Sequence, residues 1–212
     1  MRPKIIIYDF DGVVCDSVNV KTNAFVELYK DYSSDIQNQV RLYHLMNGGI
    51  SRFEKIRYFQ EELLNIPAKE DDINRIASHF ALLVKEKVIK SEYITGVLEF
   101  LEINHKKALQ FICTGTPEFE IVEIIERRQI GHLFSGVFGS PKTKETIIKE
   151  IIKITGVEST ECVFFGDAMT DFNASLNCKV PFIGINNADT VFPDGTFTID
   201  DFNDTKLNNL EL

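Results

Sequence analysis

The chain is short of several things. Only four of its 212 residues are cysteines (Cys15, Cys113, Cys162 and Cys178). They show no C-x-x-C spacing, and two lie inside apolar runs, which argues against a disulfide framework or a zinc site and fits a reducing cytoplasm. Positive charge is also scarce: 23 Lys and Arg against 32 Asp and Glu give a formal net charge of −9. Such a balance excludes a broad electrostatic footprint on nucleic acid or on an anionic membrane. It leaves room for a local cationic pocket that takes a small phosphorylated molecule. No run approaches the ~20 apolar residues of a membrane span. Met1-Arg2-Pro3-Lys4 leads into an apolar run too short, and too acidic at its end, for a signal peptide. Repeats and low-complexity tracts are absent. The expectation is a cytoplasmic protein, a monomer or weak homodimer, whose partner is a small molecule.

What is present is an alternation of buried strands and amphipathic helices. Lys4–Tyr8 is a continuous β-branched run, suited to a strand covered on both faces in a parallel sheet. Similar runs follow at Leu109–Cys113, Gly136–Gly139, Cys162–Phe165, Pro181–Ile185 and, more weakly, Phe197–Ile199. Helical spacing appears at Ile94–Ile103, at Phe119–Ile130 and at Lys144–Ile154, where Ile147, Ile148, Ile151 and Ile152 form one stripe. Pro117 falls near a first helical turn, where its missing N–H does no harm. The pattern predicts an α/β, Rossmann-like, doubly wound and mainly parallel sheet. Ser17 to about Tyr93 breaks the alternation. It has helical patterns at Val20–Tyr32, Ile36–Met46, Arg52–Leu64 and Asp71–Val88 but no strand, far more chain than a crossover needs. The expected organisation is a core of residues 1–16 and 94–212 with an inserted α-helical module, residues 17–93, above the carboxyl ends of the strands.

In open α/β sheets ligands bind outside those carboxyl ends, so the polar residues there can be read together. Asp9 and Asp11 follow the first strand, Thr114 the second, Lys142 or Lys144 the third, and Asp167 and Asp171 the fourth. Four clustered carboxylates raise one another's pKa values unless a cation lies among them. Hard oxygen ligands with water completing the shell suit Mg²⁺. A lysine and a hydroxyl can hold phosphoryl oxygens. One carboxylate can attack phosphorus, and a second, two residues on, can protonate the leaving oxygen and then activate water.

The residues that carry a resemblance are Asp9-Phe10-Asp11-Gly12-Val13-Val14, Ile112-Cys113-Thr114-Gly115, a lysine within Ser140–Lys144, and Gly166-Asp167-Ala168-Met169-Thr170-Asp171. From Lys4 to about Asn187 the chain resembles the haloacid dehalogenase-like phosphohydrolase superfamily, with motifs I, II and IV and the motif-III lysine in order. The resemblance implies Asp9 as nucleophile and magnesium ligand. Asp11 would be the acid/base and bind the metal through its backbone carbonyl. Thr114 and Gly115 would bind the phosphoryl group, Asp167 would ligate magnesium, and Asp171 would act behind it or through water. Of the two lysines, Lys144 is preferred because it opens the Ile147/Ile148/Ile151 helix. The helical module occupies the position of the family's C1 cap, which closes over the site and reads the leaving group.

Within that module Asn47-Gly48-Gly49-Ile50-Ser51-Arg52 forms a polar, glycine-bearing loop before a helix. Gly49 lets backbone approach a ligand, and Arg52 could hold a substrate anion or hydroxyl; a helix–helix turn with a solvated arginine is the alternative. Phe53, Tyr58 and Phe59 read as packing of the module, and the four histidines show no ligand spacing. Asp171 could equally be an exposed helix-first-turn residue. The expected function is a Mg²⁺-dependent phosphatase of a sugar phosphate or a phosphoglycolate-like metabolite, working through an aspartyl-phosphate. The alternative is a phosphosugar mutase of the β-phosphoglucomutase type. A dehalogenase would not need Asp11, a phosphonatase would want a Schiff-base lysine for which Lys55 is a formal candidate, and a non-enzymatic relative usually lacks one of the aspartates.

Overall fold

β1 (Ile5–Tyr8) shows why the apolar run is unbroken. Ile5 and Ile7 pack into one apolar cluster, with Ile147, Ile148 and Ile151, while Ile6 and Tyr8 pack into another on the opposite face. All four are buried, each worth roughly 1.5–3 kcal/mol of apolar burial. The computed structural model describes residues 2–209; residue 1 and residues 210–212, the outer ends of the two expected core segments, lie outside the described residues. β1 pairs in parallel with β2 (Leu109–Pro117) on one side and β4 (Cys162–Gly166) on the other, Tyr8 lying opposite Ile112 and Phe165. With β3 (Gly136–Ser140), β5 (Phe182–Ile185) and β6 (Thr198–Ile199) the sheet runs β3-β2-β1-β4-β5-β6, and every pairing is parallel. This is a Rossmann-like α/β fold. The strand order reverses between β1 and β4, which opens a crevice at their carboxyl ends.

Five helices lie between β1 and β2, the first four being α1 (Val18–Leu28), α2 (Ser34–Met46), α3 (Arg52–Tyr58) and α4 (Glu70–Lys90). These four pack on one another, around Phe25, Phe59, Phe80 and Val84. α5 (Val97–Asn104) and α6 (Glu118–Arg127) cover the same sheet face as that cluster, and α7 (Lys144–Thr155) and α8 (Met169–Cys178) cover the other. α7 begins at Thr143, whose hydroxyl accepts from the Thr146 N–H, and ends at Gly156 in the left-handed conformation, the stop that glycine suits. No helix among the described residues is long and apolar enough to cross a membrane.

Three element boundaries depart from the sequence reading. β2 does not stop at Cys113 but continues to Pro117 through a register shift against β3. Thr114 and Gly115 are therefore held within the strand rather than after it, and Pro117 closes the strand immediately before α6. The Arg52–Leu64 helix loosens after Tyr58 into a π turn over Phe59–Leu63, which keeps Phe59 buried against Phe25 and Tyr29. The helix expected from Ile94 begins only at Val97, after Gly96 at φ 77°.

Candidate active site

The end of β1 supplies the first two carboxylates. Asp9 is buried, and its Oδ1 accepts from the Phe10 N–H at 2.6 Å. Its Oδ2 lies 2.7 Å from Lys144 Nζ. The chain then turns at Gly12, φ 78°. A side chain there would stand 2.6 Å from the Asp167 Cγ, so only glycine lets the turn lie against the carboxylate that β4 delivers. Asp11 Oδ1 accepts from Ser17 Oγ at 2.6 Å, and Oδ2 accepts from Lys21 Nζ and, at 3.3 Å, from Thr116 Oγ1. Burial opposes ionisation of Asp11, but the Lys21 ammonium and the Ser17 hydroxyl outweigh it and hold the carboxyl below its ordinary value.

Asp167 and Asp171 come from the β4–α8 junction. Asp171 is completely buried, which removes the reading of an exposed first-turn residue. Its Oδ2 accepts from the Ala168 N–H at 3.2 Å and its Oδ1 accepts from Lys144. Lys144 is therefore clamped between Asp9 and Asp171. Burial alone would depress its ammonium; the two carboxylates hold it protonated, above the ordinary lysine value. Lys142, the other candidate in the loop, points away and pairs with Glu150 at 2.7 Å. Asp167 differs from its neighbours. Among the described residues no hydrogen bond or ammonium reaches its carboxylate; only its backbone carbonyl is engaged, by Asn187 Nδ2 at 2.8 Å. Burial, with Asp9 and Asp171 nearby, pushes the Asp167 carboxyl well above the usual range.

That imbalance bears on metal binding. One carboxylate oxygen from each of Asp9, Asp167 and Asp171 lies within 4.8 Å of the others. Among the described residues the four aspartates pair with only two ammonium groups, Lys21 and Lys144, so a divalent cation would restore neutrality. All the available donors are hard oxygens, and one buried carboxylate has no partner. The donor set fits Mg²⁺.

A cavity of about 290 Å³ opens beside these groups, walled by Asp9, Asp11, Thr114 and Asp167 on the sheet side and by Phe25, His44, Lys55 and Phe80 on the helical side. The Gly48–Ile50 loop meets the sheet edge closely: a Cβ on Gly115 would stand 2.8 Å from the Gly49 carbonyl carbon, and Thr170 Oγ1 donates to the Gly48 carbonyl. Thr114 is buried, its Oγ1 accepting from the Thr116 N–H at 3.2 Å.

Arg52 lies at the cavity wall but is not a free cation. Its two terminal nitrogens donate to Glu120 at 2.9 and 2.6 Å, both side chains are buried, and the guanidinium lies over the Phe80 ring. The ion pair ties α3 to α6. Sequence reasoning missed Glu120, which sits four residues beyond Thr116 in an ordinary amphipathic helix. It also missed Lys21, although Ser17 and Lys21 stand four apart at the start of α1 and so share a face. His44 shows no ligand spacing in the sequence, yet its Nδ1 lies in hydrogen-bond contact with Lys55 Nζ at 2.8 Å. Burial leaves His44 neutral, its pKa well below the ordinary value. Burial also brings the Lys55 ammonium down to about 7, with the Lys21 charge adding to the effect.

The family model described as haloacid dehalogenase-like hydrolase matches residues 6–185. Among curated proteins none matches. Among solved structures, β-phosphoglucomutase from Clostridium difficile is similar with TM-score 0.81 at 17% identity, covering 100% of this chain and 96% of that one. A predicted phosphoglycolate phosphatase from Haemophilus somnus 129PT gives TM-score 0.76 at 19% identity over 99% of each chain. The HAD-hydrolase YfnB from Bacillus subtilis, bound to magnesium, gives 0.73 at 15% identity over 100% and 99%. At these identities the structural likeness speaks to the fold.

Proposed function

Because the chain belongs to the haloacid dehalogenase-like hydrolase family, we propose that it is a magnesium-dependent phosphatase of a small phosphorylated metabolite, with Asp9 as nucleophile. The observation that carries this reading is the unpartnered Asp167 carboxylate beside Asp9 and Asp171, in a wall that also presents Asp11. Asp9 and Asp167, with the Asp11 backbone carbonyl, would hold the ion. When bound, Mg²⁺ supplies positive charge against the phosphoryl oxygens.

The chain's own groups do the rest. A carboxylate oxygen of Asp9 attacks phosphorus as the bond to the leaving oxygen breaks, and Asp11 gives that oxygen its proton. The product is an aspartyl-phosphate on Asp9. Asp11, now ionised, takes a proton from water as the water attacks phosphorus. The bond to Asp9 breaks and inorganic phosphate leaves. Lys144, held protonated by Asp171, stays beside Asp9 to meet the phosphoryl charge, and the Thr114 hydroxyl and Gly115 backbone line its path. Ser17 and Lys21 favour the ionised form of Asp11, the form the second step uses; the first step runs on the protonated form that the preceding turnover leaves when Asp11 has taken the proton of water.

The helical segment would act as a cap that excludes bulk water, the buried Arg52–Glu120 pair fastening it to α6. A well-sealed site is also what a phosphosugar mutase needs, since it returns the phosphoryl group to a sugar. One assay separates the two: with Mg²⁺ and a panel of phosphate esters a phosphatase releases free phosphate, whereas a mutase yields an isomerised sugar phosphate without it. EDTA is expected to stop turnover and added Mg²⁺ to restore it. Asp9→Asn is expected to lower kcat at least about 1000-fold. Turnover persisting in that variant, or in EDTA, would refute the mechanism.

A further inference from the structure

Three cationic side chains wall the cavity: Lys21, Arg52 and Lys55. Lys21 donates to Asp11, and both terminal nitrogens of Arg52 are committed to Glu120. Lys144, behind Asp9, is shared by Asp9 and Asp171. Of these four cations Lys55 alone has no carboxylate within ion-pair distance. It is 2% exposed, and its hydrogen-bond partners are the His44 ring at 2.8 Å and the His44 carbonyl at 3.4 Å. The Phe25 ring centroid lies 5.9 Å away, and Lys21, Asp11, Lys144 and Asp167 act on the ammonium only from beyond ion-pair distance. A buried ammonium without a counter-ion is costly unless a ligand supplies one.

We infer that Lys55, oriented by His44, is the receptor for a carboxylate at the end of the substrate away from its phosphate, so that the ester turned over is a phosphorylated carboxylic acid. The inference rests on the phosphatase reading above and adds the substrate class. When Lys55 is an ammonium it donates to His44 Nδ1, so the proton of neutral His44 is on Nε2 and adds a donor on the same wall. A single ammonium matches a single negative charge. A second phosphate would call for a guanidinium fork or several cations, and the fork within reach is closed by Glu120. Burial brings the Lys55 pKa down to about 7 in the ligand-free protein, and an incoming anion would restore the ammonium.

The test compares acids with the alcohols that differ only in that group: 2-phosphoglycolate with 2-hydroxyethyl phosphate, 3-phosphoglycerate with glycerol 3-phosphate, 4-phosphoerythronate with erythritol 4-phosphate, and 6-phosphogluconate with sorbitol 6-phosphate. Fructose 1,6-bisphosphate represents a second phosphate. The expected result is a preference in kcat/KM for at least one acid over its alcohol of about tenfold or more. In Lys55→Met that ratio collapses towards one, the loss falling on KM. Equal use of acids and alcohols by the wild type, a bisphosphate preferred over every acid, or an acid preference that survives in Lys55→Met would each overturn the assignment. Calorimetric binding of the same pairs to Asp9→Asn with Mg²⁺ reads the preference without turnover. Failure to release phosphate from any ester therefore strikes the phosphatase reading, while the binding ratio still decides the role of Lys55.

Discussion

Replacing Lys55 by methionine is expected to make the protein more stable, and the size of the gain follows from the surroundings of the ammonium. In the folded chain the group titrates at about 7, against an ordinary 10.5, chiefly because it is buried. That gap corresponds to about 5 kcal/mol. Between the two values the unfolded chain keeps a proton that the folded chain has released. Stability therefore climbs as the pH rises from about 7 to about 10.5, and the penalty is present in full below 7. Methionine fills a similar volume with no charge. It also takes a donor away from His44 Nδ1, which returns about 1–3 kcal/mol of cost. The net gain at pH 6.5 is about 2–4 kcal/mol, and at pH 9 it shrinks by about 2–3 kcal/mol. Urea unfolding followed by circular dichroism at the two pH values measures both numbers. A Lys55→Met protein less stable than wild type at pH 6.5, or a gain that does not change with pH, would show that Lys55 is not an uncompensated buried cation. A residue that costs this much stability is the kind kept for what it binds.

Other outcomes follow from contacts across the site. Glu120→Gln leaves Arg52 buried without its counter-ion and is expected to cost about 3–5 kcal/mol in denaturant unfolding; a loss under about 1 kcal/mol would mean that the pair does not fasten α3 to α6. Gly115→Ala places a methyl 2.8 Å from the Gly49 carbonyl carbon, which two backbones cannot absorb without shifting the loop. It is expected to lower kcat/KM about 100-fold while unfolding shifts by only about 1–3 kcal/mol, and unchanged kinetics would remove the loop from the site. Lys21→Met takes away the ammonium that holds Asp11 ionised. The acid limb of the kcat profile is then expected to move to higher pH, and a profile identical to wild type would mean that Lys21 does not govern Asp11.

How much of this was legible in the sequence depends on the range of the interaction that decides each feature. β1 could be read because a strand covered on both faces must be apolar at every position, a rule that acts within four residues. The positions of Asp9 and Asp167 followed from strand ends, because a parallel sheet brings all its carboxyl ends to one edge. The extension of β2 to Pro117 could not be read, since the register shift that holds Thr114 and Gly115 in the strand is set by pairing with β3. The charge assignments were hidden for a stronger version of the same reason. Arg52 and Lys55 stand three residues apart in one short helix, and the sequence favours Arg52 as the anion holder. What separates them is Glu120, 68 residues from Arg52 along the chain, which neutralises one and leaves the other. A sequence shows which cations a loop contains. Which of them remains without a counter-ion depends on packing between the helical segment and α6, and that uncommitted charge decides which substrates the cavity can prefer.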